Sequence, residues 1–394
     1  MINVEVDEDI QTPDPSQEGE DDLAKGATHY SDAVVTSTDW TVDTIGAQLE
    51  EGTINLTPSF QRRNAWRDDR KSRFIESLFL GLPIPEIVLA ERLKARGTFL
   101  VLDGKQRLLT LREFCRPDGK DFPPLTLSGL AVRQDLNKMT YADLTTSGIH
   151  ASDVRNFRNQ TIRTVVVRNW PDEDFLYRVF LRLNTGSLPL SPQELRSALI
   201  PGPFLKFLDE FSSQCRPLQV ALGISGPDFR MRDVELFLRF FAFDQFLSDY
   251  RGNLKEFLDM TSLRLNKSWP TSETAIRKRA EAGAAAIDTT LLVFSQPFKR
   301  WTRDRFEGRF NRAVFDIMIY SFRDPLIGRS AVAEKDAVVS LFQKLSAESN
   351  EFSQALTTTT KTVDAVWLRL TTWCGGLSHL LGIEIPVPAK PQLS

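Results

Sequence analysis

Apolar positions along this chain follow two different periods, and the change between them falls near residue 200. In the first half, short runs suited to strands alternate with stretches of three-to-four-residue spacing. Val42, Ile45 and Leu49 space a short helix, and Phe74, Ile75, Leu78 and Phe79 form one face of a longer one that opens on Asp68 and Asp69 and stops at Gly81. Pro83 and Pro85 forbid helix, so Glu86–Ala90 is predicted as a strand, with a second at Thr98–Leu102. Leu108, Leu111, Phe114 and Cys115 then mark an amphipathic helix, Tyr141–Phe157 reads as short helices, and Thr161–Val167 supplies another β-rich run. The acidic turn Asp172-Glu173-Asp174 starts a helix with Leu176, Val179, Phe180 and Leu183 on one face, ended by Asn184-Thr185-Gly186. Ser191-Pro192-Gln193-Glu194 is a capping box with Pro at the first helical position.

Beyond Pro203 the strand-like runs disappear. Helical spacing dominates in Asp233–Leu247, Thr271–Phe294, Arg305–Tyr320, Lys335–Leu345 and Thr362–Leu381. The expected fold class is therefore α+β, with a mixed domain over residues 38–200 followed by an all-helical domain over 201–394. Residues 1–37 are expected to form a disordered acidic tail, because they are poor in apolar side chains and carry Thr12-Pro13-Asp14-Pro15. Nine acidic residues face one Lys in the first 25 positions, so the net charge of -3 conceals a remainder of +5. Such a tail solubilises the chain or competes with nucleic acid for a basic cleft.

Composition excludes several classes. A hydrophobic share of 41% with 26% charged residues is that of a globular protein, and no apolar run reaches the roughly 18 to 20 residues of a membrane span. Cys115, Cys215 and Cys374 are too far apart for a zinc pattern and odd in number, which points to a reducing, cytoplasmic setting. No G-x-x-x-x-G-K-[ST] loop occurs.

The densest chemistry lies in Val101-Leu102-Asp103-Gly104-Lys105-Gln106-Arg107-Leu108-Leu109-Thr110-Leu111, where a strand breaks at Asp-Gly and restarts as a helix carrying two cations in its first turn. A helix start offers unpaired N–H groups and about half a positive charge, so it favours an anion before any side chain contributes. The competing account is that Asp103 caps an ordinary packing helix. Basic residues from Arg62 to Arg112, among them Arg70, Lys71, Arg73, Lys94 and Arg96, crowd the same half and offer either phosphate contacts on DNA or solvated helix faces.

Two further motifs share the mixed half. Pro58-Ser59-Phe60-Gln61-Arg62-Arg63-Asn64-Ala65-Trp66 lies upstream, and Phe180-Leu181-Arg182-Leu183-Asn184-Thr185-Gly186 with Leu190–Arg196 lies downstream. With the D-G-K-Q-R segment, these resemble the GmrSD-type restriction-system N-terminal domain family, also described as domain of unknown function 262, whose hallmark is D-G-Q-Q-R. Lys105 stands where that hallmark has its first Gln. The resemblance implies a ParB/sulfiredoxin-like fold whose motifs converge on a pocket that binds and hydrolyses a nucleoside triphosphate with Mg²⁺. For that chemistry Asp103, Gln106 and Arg107 are the candidate catalytic residues, with Asp103 holding either the helix start or the metal ion. Gln61, Arg62, Gly104, Lys105, Asn184 and Gly186 would hold nucleotide. Arg107 would stabilise charge on the phosphoryl group and Gln106 would orient water. A role in DNA restriction or antiphage defence follows, with DNA and a partner nuclease or other defence protein as partners.

Many larger relatives add a His-dependent nuclease, whereas His29, His150 and His379 form no paired motif here, so autonomous cleavage by that chemistry is not expected. A second reading keeps nucleotide binding without turnover, Lys105 adding fixed charge that retains phosphate. In a third, the segment is structural and the protein is a DNA-binding adaptor. Glu194 is accounted for by its capping box, and Trp66 reads as a packing anchor.

Overall fold

A computed structural model describes residues 18, 22, 33–56, 66–183, 191–302, 304–358 and 360–391. It divides into two units, one of residues 25–199 and one of residues 1–24 with 200–394.

The first unit is built on a four-stranded mixed sheet. Its strands are β1 (Val34–Thr41), β2 (Ile87–Arg92), β3 (Ala95–Asp103) and β4 (Thr161–Arg168), in the order β1-β4-β2-β3. β4 runs antiparallel to β1 and parallel to β2, and β2 and β3 form an antiparallel hairpin in which Val88 faces Asp103. β2 and β4 supply the buried centre through Ile87, Leu89, Ile162 and Val166, where β-branched side chains pack well on a pleated surface. The first four residues of β1, Val34 to Ser37, fall inside the expected disordered tail, and no strand was anticipated there. Its sequence, VVTSTDWT, is mostly exposed and polar, and an edge strand that buries neither face shows no alternation to read.

Helices α1 (Val42–Glu50), α2 (Asp68–Phe79), α3 (Lys105–Cys115) and α5 (Ala151–Asn159), with the short α4 (Tyr141–Thr146), join that sheet around one core. Val42, Ile45, Ile75, Leu78, Leu108, Leu111, Phe114 and Phe157 belong to it. Phe79 stacks on Phe157 at 4.5 Å, and Phe114 meets Phe157 edge-on at 5.6 Å, a geometry that adds to plain area burial. Helices α6 (Glu173–Leu183) and α7 (Pro192–Leu199) complete the unit.

The second unit is helical apart from the two-residue strands β5 (Trp301–Thr302) and β6 (Arg305–Phe306). That hairpin occupies the start of the stretch expected to be one helix from Arg305, and helix begins only at Arg312, where Asn311 caps it through Val314 N–H at 2.9 Å. Conversely, the helix expected from Thr271 starts seventeen residues earlier. α11 (Leu254–Val293; α8–α10 are Pro203–Gln214, Arg216–Leu222 and Arg232–Phe246) runs through Pro270 without ending. Proline removes one intrahelical hydrogen bond. In the turn before it, Asn266 accepts from Phe204 N–H at 3.0 Å and caps α8. An added Cβ at Gly202 would lie 2.2 Å from the Asn266 side chain, so any larger residue there displaces that amide.

Buried ion pairs run through this unit. Arg239 forks onto Asp316 at 3.0 and 2.6 Å, Arg369 reaches the same carboxylate at 3.1 Å, and Arg312 binds Glu235 at 2.9 and 3.1 Å. Asp22, inside the expected disordered tail, is buried here. It accepts from Leu254 N–H at the start of α11 at 3.1 Å and from Lys361 Nζ at 2.8 Å. The three cysteines are buried and unbridged, and burial pushes the Cys115 and Cys374 thiols up to about 12. Among the described residues, no helix is long and apolar enough to cross a membrane.

Candidate functional site

The Asp103–Arg107 segment forms a tight junction between β3 and α3. Asp103 is the last residue of β3 and Gly104 the N-cap of α3, with φ of 94°. Only glycine adopts that backbone freely, and a Cβ at Gly104 would also stand 3.1 Å from Ile87 and 3.3 Å from the Arg107 guanidinium. Because the cap position falls on glycine, the N-cap residue has no side chain to cap the helix start. Asp103 therefore does not act as the anticipated cap. Its carboxylate instead accepts from Arg107 Nη2 at 3.0 Å, one turn into the helix.

Arg107 is 6% exposed. Its Nη2 also donates to the Glu86 carbonyl at 2.9 Å, and its buried Nε has no hydrogen-bond partner among the described residues. A guanidinium presents five donors in a rigid fork, and the Asp103 carboxylate and the Glu86 carbonyl together hold this one in place. Gln106, partly exposed, accepts from Trp66 N–H at 3.3 Å and thereby links the motif helix to the end of the upstream motif. Trp66 itself meets Phe74 edge-on at 5.8 Å and carries Arg70 over its ring at 4.8 Å, which fits a packing anchor.

Lys105 is engaged by a residue of the downstream motif. Its Nζ lies 2.5 Å from Glu194 Oε1, and both side chains are buried, at 7% and 3% exposure. Glu194 is meanwhile the anticipated capping-box partner, with Oε2 accepting from Ser191 N–H at 2.7 Å and Ser191 Oγ accepting from Glu194 N–H at 3.1 Å. One carboxylate thus serves both the start of α7 and the cation of the central motif. The capping box was legible in S-P-Q-E; the ion pair, spanning 89 positions, had no local signal.

The same holds for other cations. Lys71 pairs with Glu113 at 2.6 Å in the core, Arg112 reaches Asp118 at 3.5 Å and stacks over Phe122 at 4.8 Å, and Arg73 pairs with Asp69 at 2.5 Å. Of the basic run, Arg67, Arg70, Arg73, Lys94 and Arg96 are exposed. Glu76 also escaped sequence reading. Burial raises the pKa of its carboxyl, yet hydrogen bonds from Arg133, Val132 and Ala131 N–H outweigh that and hold it below the ordinary value of 4.5.

Gln61, Arg62, Asn184 and Gly186 lie outside the described residues. Among the described residues, no group of three His, Cys, Asp or Glu side chains is arranged to hold a metal ion. Asp103 is the one carboxylate of the motif. Of the histidines, His150 lies 3.2 Å from Asp153 and His379 sits in the last turn of α16 (Val363–Leu381; α12–α15 are Arg312–Phe322, Pro325–Ala333, Lys335–Glu348 and Asn350–Ala355).

A mixed sheet whose β3 edge passes through a left-handed glycine into a helix bearing Gln and a buried Arg defines an α+β domain with an anion-favouring helix start. Residues 45–201 match the family model of the GmrSD restriction endonuclease N-terminal domain, and that segment belongs to this family. No curated protein and no solved structure matches the chain.

Proposed function

We propose that this protein binds a nucleoside triphosphate at the Asp103–Arg107 junction, hydrolyses it, and acts in a DNA-restriction or antiphage system. The restriction context rests on the family of residues 45–201. The nucleotide reading rests on one observation above all: the buried Arg107 guanidinium, with its Nε unpartnered among the described residues, beside a helix start whose N-cap residue is a glycine. Phosphate oxygens are acceptors of the right charge for that donor set. In this reading the domain is ParB-like, and Gln61, Arg62, Asn184 and Gly186 of the flanking motifs are further candidates for nucleotide binding.

Hydrolysis adds water across the terminal anhydride and releases nucleoside diphosphate and inorganic phosphate. Arg107 offsets the charge that builds on the transferred group, and Gln106 orients the water. A magnesium ion supplies further charge neutralisation when it arrives with the nucleotide. One or two protein carboxylates suffice beside phosphate oxygens, and Asp103 is the candidate. DNA and a separate nuclease are the proposed partners, with Arg67, Arg70, Lys94 and Arg96 as exposed cations for DNA phosphate.

Retention without turnover, the second reading, drew on Lys105 as a fixed charge for phosphate. The Glu194 carboxylate beside Lys105 argues against it. Phosphate release from four NTPs with Mg²⁺, with and without DNA, tests the proposal. Release from at least one is expected, falling by about 10³-fold in Arg107→Ala. No release from any of the four removes the hydrolase, and calorimetric binding without release would restore the second reading.

A further inference from the structure

Lys105 and Glu194 belong to two motifs 89 positions apart, yet their side chains meet at 2.5 Å with almost no exposure. An isolated buried charge is costly, and an ion pair is tolerated there only when geometry and additional hydrogen bonds satisfy both partners. Glu194 meets that condition, with one oxygen on Lys105 and the other on Ser191 N–H. Lys105 is also the first residue of α3, and Glu194 lies in the first turn of α7. The contact therefore fixes two helix starts relative to each other.

We propose that Lys105 is not a phosphate ligand but one half of a neutral brace, and that Glu194 is a positioning residue of the nucleotide site, acting through Lys105 to hold the start of α7 against the Asp103–Arg107 junction. The site then recognises phosphate through Arg107 and the helix start, with no net charge from position 105. The positioning role rests on the nucleotide reading above, whereas the brace itself does not.

The test uses full-length protein with Lys105→Gln, Glu194→Gln and the double variant, in two measurements. The first is the thermal unfolding midpoint. Each single change leaves one buried charge without its counterion and should lower the midpoint by about 10 °C, while the double change, which leaves two amides able to hydrogen-bond, should return to within about 3 °C of the wild type. The second is the ratio of Kd for nucleoside monophosphate to Kd for nucleoside triphosphate, by calorimetry with Mg²⁺, a quantity that a purely structural role leaves unchanged. Glu194→Gln leaves the Lys105 cation uncompensated beside the phosphates and should widen that ratio by about tenfold, and the double variant should match the wild type.

A double variant that folds normally yet narrows the ratio by tenfold or more would show Lys105 on phosphate and overturn the proposal. Additive losses of midpoint, or a Glu194→Gln variant with wild-type midpoint and ratio, would overturn it as well. Should the wild type bind no nucleotide, the functional reading and the positioning role fall together, and the unfolding cycle alone still decides whether the brace exists.

Discussion

At the scale of single residues, Gly104 and Arg107 depend on each other. The left-handed backbone at Gly104 lets β3 turn into α3 within one residue, and its missing side chain leaves room for the Arg107 guanidinium. Gly104→Ala meets both obstacles and should cost about 1–2 kcal/mol in backbone strain alone, with further loss from displacement of Arg107, read as a lower urea midpoint. An unchanged midpoint would mean that this junction is not as tight as described. The glycine and the arginine were both legible as motif letters. Their contact was not, because it follows from a φ of 94° that no residue pattern encodes. Asp103 was legible only as an acid beside a helix start, where capping is its commonest role; with Gly104 at the cap position, its carboxylate turned to the side chain one helical turn ahead.

At the scale of elements, Glu76 shows how a helix can hold a loop. It lies near the C-terminal end of α2 and accepts from three successive N–H groups of residues 131–133, which have no strand or helix of their own to bond. Since its folded pKa lies below the ordinary 4.5, its contribution is fully present above that pH and is lost as pH falls through the folded value. Unfolding midpoints measured from pH 7 down to pH 3 should therefore fall less steeply in Glu76→Gln than in the wild type. That variant should also be less stable at pH 7 by about 1–3 kcal/mol. Equal pH slopes would contradict the assignment. Helices with clear apolar faces, such as α2, α3 and α6, and strands β2, β3 and β4 could be read directly. The misreadings have separate physical causes. β1 is a polar edge, Pro270 lies inside α11 although proline commonly ends a helix, and the hairpin of β5 and β6 carries apolar residues at a spacing that also suits a helix.

At the scale of the whole chain, each unit keeps charge inside. In the helical unit Asp316 balances Arg239 and Arg369 together, so Asp316→Asn leaves two buried guanidinium groups without their carboxylate and should cost about 3–5 kcal/mol by chemical denaturation. A loss under about 1 kcal/mol would show that water reaches the cluster. The mixed unit does the same with Lys71 and Glu113 and with Lys105 and Glu194, which is why the basic run that reads as a DNA face in the sequence is in part internal. Charge counts were legible; their burial was not, because each partner arrives from a distant segment. Arg107, like Arg369, keeps a buried N–H without a partner among the described residues, but it alone of these belongs to the Asp103–Arg107 motif, and the account turns on what it meets. Calorimetric titration of the four NTPs with Mg²⁺ into the wild type, Arg107→Ala and Arg107→Lys tests this most directly. The account predicts binding of at least one NTP by the wild type and at least about a tenfold weaker Kd in both variants, with folding verified by circular dichroism. Undiminished affinity in a folded Arg107→Ala, or no binding by the wild type to any of the four, would contradict it.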